Sequence, residues 1–149
     1  MTFSKSKILS MAALVLRVLL GVIFVYAAYS KLKDPWALFA MSIDSYGILP
    51  LRWVEFVART LPWFELLLGV LLIAGIFRRV TTVATSLLLL TFFSLMLRAH
   101  FKGMEINCGC FGPGEVISWK TMLRDGSMVA GSIFVTAMAF LRRGRMANV

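Results

Sequence analysis

The stretch Ile8–Tyr29, ILSMAALVLRVLLGVIFVYAAY, decides the fold: Arg17 is its only charge. An apolar run of this length matches the roughly 20 residues that a helix needs to cross a bilayer. A helix also satisfies its own backbone hydrogen bonds in lipid. Lys5 and Lys7 precede the run, as in a secretory leader. However, the run is about twice the usual length of a leader's apolar core, and an arginine sits inside it. It therefore reads as a membrane helix.

Similar runs follow. Leu61–Phe77 holds Glu65, and Val80–Leu97 ends at Arg98 and His100. Gly126–Leu141 is shorter and reaches spanning length if it starts near Trp119 and tilts. The expected helices are 8–30, 61–77, 80–101 and 119–141, a single all-α domain over 1–149 built as a four-helix transmembrane bundle. Composition agrees: 60% of the 149 residues are hydrophobic and 15% charged, against about a quarter charged in soluble domains. The net charge of +9 invites a nucleic-acid reading. The hydropathy argues against it, because basic residues flanking membrane helices hold lipid headgroups and set topology. The lipid bilayer is the expected partner, and no nucleic acid is.

Four crossings put both termini and the turn at Phe77–Val80 on one side. That side carries Lys5, Lys7, Arg78, Arg79, Arg142, Arg143 and Arg145 and no acidic residue. The density of basic residues in short segments assigns it to the cytoplasm. The expected location is the inner (plasma) membrane, multi-pass, with loop three outside. The first outer loop, Lys31–Thr60, places Trp36, Phe39, Ala40 and Ile43 at helical spacing, and Trp53, Phe56 and Val57 likewise. These segments predict short interfacial helices with tryptophan anchors. The short turn between the second and third helices makes them antiparallel neighbours. Gly21, Gly69, Gly75, Ala130 and Gly131 permit close helix approach.

Loop three, Lys102–Ser118, holds both cysteines of the chain, in Cys108-Gly109-Cys110-Phe111. A disulfide across one glycine needs a tight turn, which Gly109 permits. So small a ring is a poor staple, and an exposed, strained one is readily reduced. Redox chemistry, metal binding and a plain turn with two thiols all remain open on these residues. His100 is the candidate third metal ligand, but no fourth is evident, and no metal is assigned.

Polar residues inside a membrane call for partners. Glu65 lies roughly 6 Å below the outer surface at 1.5 Å per residue. Tyr26, Lys31, Arg98, Arg124 and Asp125 fall at a similar level, forming an expected polar layer beneath the cysteines. Glu65 then either handles a proton for a thiol or forms a buried pair that sets helix register.

Several segments resemble the MauE/DoxX-like membrane protein family. Asn107-Cys108-Gly109-Cys110-Phe111-Gly112 is similar to its CGCFG signature, and Leu61-Pro62-Trp63-Phe64-Glu65 with Gly69 to its second helix. Arg17–Gly21 with Ser30-Lys31-Leu32 resembles the first helix, and Ser118-Trp119 with Leu123-Arg124-Asp125 the entry to the fourth. The resemblance implies four membrane helices and redox roles for Cys108 and Cys110. It implies a polar-site role for Glu65, Lys31, Arg124 and Asp125, with Gly109, Phe111 and Gly112 forming the motif turn. The MauE branch is associated with maturation of methylamine dehydrogenase alongside a thioredoxin-like partner, and DoxX relatives with quinone-linked sulfur oxidation. The expectation is a thiol–disulfide redox protein serving exported disulfide proteins. Its partner would be an extracytoplasmic thioredoxin-fold protein or another membrane subunit, with quinone as the candidate cofactor. The competing classes are a non-enzymatic assembly factor or complex subunit and a metal-handling protein.

Overall fold

A computed structural model describes residues 2–111 and 114–146. It contains five helices: α1 Thr2–Lys33, α2 Trp36–Asp44, α3 Leu51–Ala74, α4 Arg78–Phe101 and α5 Trp119–Met146. Among the described residues, three helical stretches are long and apolar enough to cross a membrane: Lys5–Lys33, Leu51–Ala74 and Arg78–Phe101. The all-α expectation therefore holds, while α5, which opens with Lys120, Arg124 and Asp125, is not one of the three.

The boundaries differ from the expected ones for physical reasons. α1 begins well before Ile8, because nothing in the lysine and serine residues at its start opposes a helix. The first outer loop holds one short helix, α2, and not two. The segment expected as a second interfacial helix is continuous with the membrane helix, running through Pro62 as α3. Proline removes one helical donor, but neighbouring helices stabilise such an interruption in membrane proteins. α3 stops at Gly75, whose left-handed conformation (φ 73°) lets its amide and that of Ile76 both donate to the Leu71 carbonyl, at 2.9 and 3.2 Å.

Packing is strongest between α1 and α3 and between α4 and α5; the α3–α4 neighbours joined by the tight turn touch less. The glycines explain the first pair. A Cβ placed on Gly21 would lie 2.9 Å from the Gly69 carbonyl oxygen and 2.7 Å from Ile73 Cγ1. One on Gly69 would lie 2.8 Å from the Gly21 carbonyl oxygen. Only glycine lets these two backbones meet. Leu20, Leu72 and Val135 then close the middle of the bundle. The interior also holds Thr81, Thr82, Thr85, Ser86 and Ser132, and Ser86 bonds Thr136 at 3.0 Å between α4 and α5. Large apolar side chains such as Leu19, Val22, Leu67, Val70 and Leu87 point outward. Small polar groups inside and bulky apolar groups outside suit a lipid surround.

α2 folds back on α3 through Phe39, Ala40, Val54 and Ala58. The Arg59 guanidinium lies 4.2 Å from the Trp36 ring centroid and clamps the outer edge of this contact. The result is a cap over one end of the bundle, and loop three lies against it.

Candidate redox site

Lys31 lies in the last turn of α1, and Glu65 sits one turn after Pro62 on α3. Lys31 Nζ donates to both Glu65 carboxylate oxygens, at 2.8 and 2.7 Å. Their side chains are 1% and 6% exposed, so the pair is sealed. The Phe39 and Phe92 rings flank the ammonium, 5.1 and 5.8 Å from it. A buried charge needs a partner, and here each supplies the other's.

Loop three is a narrow hairpin. The Cys108 amide donates to the Glu115 carbonyl at 2.7 Å, and the Ile117 amide to the Ile106 carbonyl at 3.1 Å. Asn107 and Val116 form an antiparallel bridge. Gly109 turns the tip with φ 72°, and a Cβ there would come within 3.2 Å of Ser42 Cβ on α2. The Tyr46 hydroxyl donates to the Cys108 carbonyl at 3.1 Å. Burial, and next the neighbouring cysteines, push the Tyr46 phenol well above its ordinary value, so it stays a neutral donor. Gly112, expected in the turn, lies outside the described residues.

This fold brings the two sulfurs within 2.6 Å of each other. A disulfide of about 2.05 Å forms from that position with a small movement. The pair is not the exposed one expected from a loop. Cys108 is 1% exposed and packs with Met96 and Met122, and Cys110 is half-buried. The two thiols are unequal. The hydrogen bond with Cys110 holds Cys108 below the usual thiol value, against burial and the charges of Asp125 and Glu115. The same bond, together with burial, pushes Cys110 well above it.

α5 supplies the next groups. Asp125 Oδ2 lies 3.9 Å from Cys108 Sγ. Arg124 binds Asp125 Oδ1 at 2.9 Å and Glu115 Oε1 at 2.5 Å, and its guanidinium lies 4.3 Å from the Phe111 ring centroid. Phe111 meets the exposed Tyr26, ring centroids 6.1 Å apart. Ser118 caps α5, its hydroxyl accepting from the Thr121 amide at 3.4 Å. Glu65, Cys110, Phe111 and Asp125 share the wall of a cavity of about 40 Å³.

One expected member of the layer and the candidate third metal ligand lie elsewhere. Arg98 is exposed on α4 and, among the described residues, has no side-chain bond to this layer. His100 is exposed on the same helix end, its ring 6.3 Å from that of Phe101. Asp125, not His100, stands beside the thiols: one ligand atom each from Cys108, Cys110 and Asp125 lie within 4.8 Å of one another. Glu115, Tyr46, Phe39 and Phe92 were not among the expected site residues. Glu115 alone left a trace, as the one acidic residue between the motif and Arg124. A cavity of 40 Å³ holds about one or two waters. A quinone ring does not fit in that cavity.

Apolar helices around a sealed ion pair, with a thiol pair capping one end, define a multi-pass membrane protein. The family model described as methylamine utilisation protein MauE matches residues 9–141, so the chain belongs to the MauE family. A "Methylamine utilization protein MauE" from Paracoccus denitrificans is 32% identical over 113 residues, which is 74% of this chain. The alignment spans 60% of that relative's length. No solved structure matches the chain.

Proposed function

We propose that the protein is a membrane thiol–disulfide exchange protein. Cys108 and Cys110 would cycle between dithiol and disulfide with an extracytoplasmic thioredoxin-fold partner and so support maturation of exported proteins that need disulfides. The observation carrying this reading is the 2.6 Å approach of the two sulfurs on a hairpin braced by Tyr46, Glu115 and Arg124. The Paracoccus relative is named for methylamine utilisation. A client in that metabolism is the most specific form of the proposal.

The chemistry balances within the two proteins. A partner thiolate attacks Cys110 Sγ, the less buried sulfur, and the Cys108–Cys110 bond breaks. Cys108 leaves as a thiolate, a role suited to its lowered value. The partner's second thiol loses its proton and attacks its own bridged sulfur, releasing Cys110, which takes up a proton. The partner is oxidised by two electrons and the Cys108–Cys110 pair is reduced by two. The reverse sequence carries electrons the other way. Asp125 stands at 3.9 Å, where it can hold the proton that Cys108 gains or loses.

In this reading α5 is the fourth span. Its 28 residues extend about 42 Å, more than the roughly 30 Å hydrocarbon core. Both termini face the cytoplasm, the loop-three side faces outward from the inner membrane, and disulfides persist on that side. Thiol titration in native membranes tests the proposal: two thiols protected before reductant and two reactive after it are expected. Two thiols that stay reduced under oxidising conditions would favour an assembly subunit. The Cys108, Cys110 and Asp125 donors favour metal handling as the second reading. Stoichiometric zinc or copper in the purified protein would establish it instead.

A further inference from the structure

The end of the bundle opposite the cysteines holds a cavity of about 750 Å³ between α1, the end of α3, the start of α4 and α5. Its rim carries Lys7 and Arg17 from α1 and Arg78 from α4, with the hydroxyls of Ser6 and Ser10. The rest of its lining is largely apolar, including Met11, Leu14 and Ala139. No acidic residue precedes Asp34, lies between Glu65 and Glu105 or follows Asp125, so this end of the molecule has no carboxylate side chain. Lys7 and Arg78 are exposed, and neither forms an ion pair among the described residues. Arg17 passes close to Gly75: a Cβ there would lie 2.9 Å from its guanidinium. The bare glycine leaves room for that side chain to reach the rim.

Cations from two helices gathered on one cavity repel each other unless an anion joins them. The volume falls within the roughly 300–1,000 Å³ of small-ligand sites. Basic pockets between membrane helices suit lipid phosphate heads, and the apolar wall suits an acyl chain. We infer that this cavity binds a phosphate-bearing anion, with Lys7 and Arg78 on the phosphate and the apolar wall against a hydrocarbon chain. The site is independent of the thiol chemistry at the other end.

The test uses the purified full-length protein in a neutral detergent, titrated with phosphatidylglycerol, phosphatidylcholine or inorganic phosphate and read by native mass spectrometry. Phosphatidylglycerol is expected to bind about tenfold tighter than phosphatidylcholine. The K7Q/R78Q variant should lose roughly 25-fold in phosphatidylglycerol affinity, about fivefold per charge near a membrane surface, with phosphatidylcholine unchanged. Ala139→Phe, which fills the apolar wall without touching charge, should block the lipid and spare inorganic phosphate. Inorganic phosphate bound as tightly as the lipid, with the same loss in K7Q/R78Q, would make the natural ligand a soluble phosphate compound at this same site. Equal phosphatidylglycerol affinity in wild type and K7Q/R78Q would overturn the inference, as would a lipid bound regardless of headgroup with no phosphate binding.

Discussion

Lys31 and Glu65 lie 34 positions apart and meet in two hydrogen bonds of 2.8 and 2.7 Å inside the bundle. Glu65 also lines the small cavity that Cys110 and Asp125 border. The ion pair thus joins the α1–α3 packing to the thiol end of the molecule.

Removing one member of the pair strands the other. Glu65→Leu should cost about 3–5 kcal/mol by leaving a buried ammonium. It should lower the melting temperature and membrane yield. The double variant K31M/E65L should recover most of that loss. If the pair also serves the thiols, the double variant will fold and still exchange slowly, whereas wild-type exchange in the folded double variant would confine the pair to structure. Glu65→Gln keeps one acceptor for the ammonium but not its counter-charge, so it should also destabilise, by less than Glu65→Leu.

The two cysteines should behave differently as traps. Cys108→Ser leaves the more accessible Cys110 without its resolving partner. It should accumulate a mixed disulfide with the thioredoxin-fold protein, seen on a non-reducing gel and lost on reduction. Cys110→Ser leaves a buried sulfur and should accumulate far less. The double Ser variant should insert normally, since so small a ring adds little stability. Full cellular function in that variant would remove the redox proposal.

Cys108 should ionise first. Its value is held down by the hydrogen bond with Cys110, so thiolate is present at lower pH than for an ordinary cysteine. Ultraviolet thiolate absorbance of the reduced protein should therefore rise at lower pH in wild type than in Cys110→Ala, where that bond is gone and the midpoint moves up. Coincident titrations would show that Cys110 does not tune Cys108.

The close glycine contact should tolerate no side chain. Gly21→Leu and Gly69→Leu each drive a Cβ to within 2.9 Å of the facing carbonyl oxygen. Each should cost about 1–3 kcal/mol and lower thermal stability. Gly131→Ala meets only Leu16 Cδ2 at 4.0 Å and should be nearly silent.

Topology has its own check. A reporter fused after Val149 should be active only in the cytoplasm. A membrane-impermeant thiol reagent should reach Cys110 from outside after reduction. Labelling from the cytoplasmic side would place the thiols in a reducing compartment and undercut a standing disulfide.

The apolar runs from Ile8, Leu61 and Val80 were legible as membrane helices because lipid leaves a chain few alternatives. The cysteine motif declared itself by its spacing, and Glu65 by its cost inside an apolar run. Which cation would meet Glu65 was not legible. Lys31, Arg98 and Arg124 stood at similar heights by residue count, and helix rotation and packing decide among them. The glycine contact turned α1 and α3 so that Lys31 faces inward, while Arg98 ended on an exposed face. α3 ran through Pro62, where a separate interfacial helix was expected, because tertiary packing outweighs one lost backbone bond. The bond from Tyr46 to Cys108 spans 62 positions, and the Asp125–Cys108 approach depends on how α5 docks on α4. No local pattern encodes such distances. Sequence alone determined that these helices enter a membrane and that two thiols sit together. The tertiary structure decided that the thiols are buried, which acids surround them, and that a basic cavity lies at the other end.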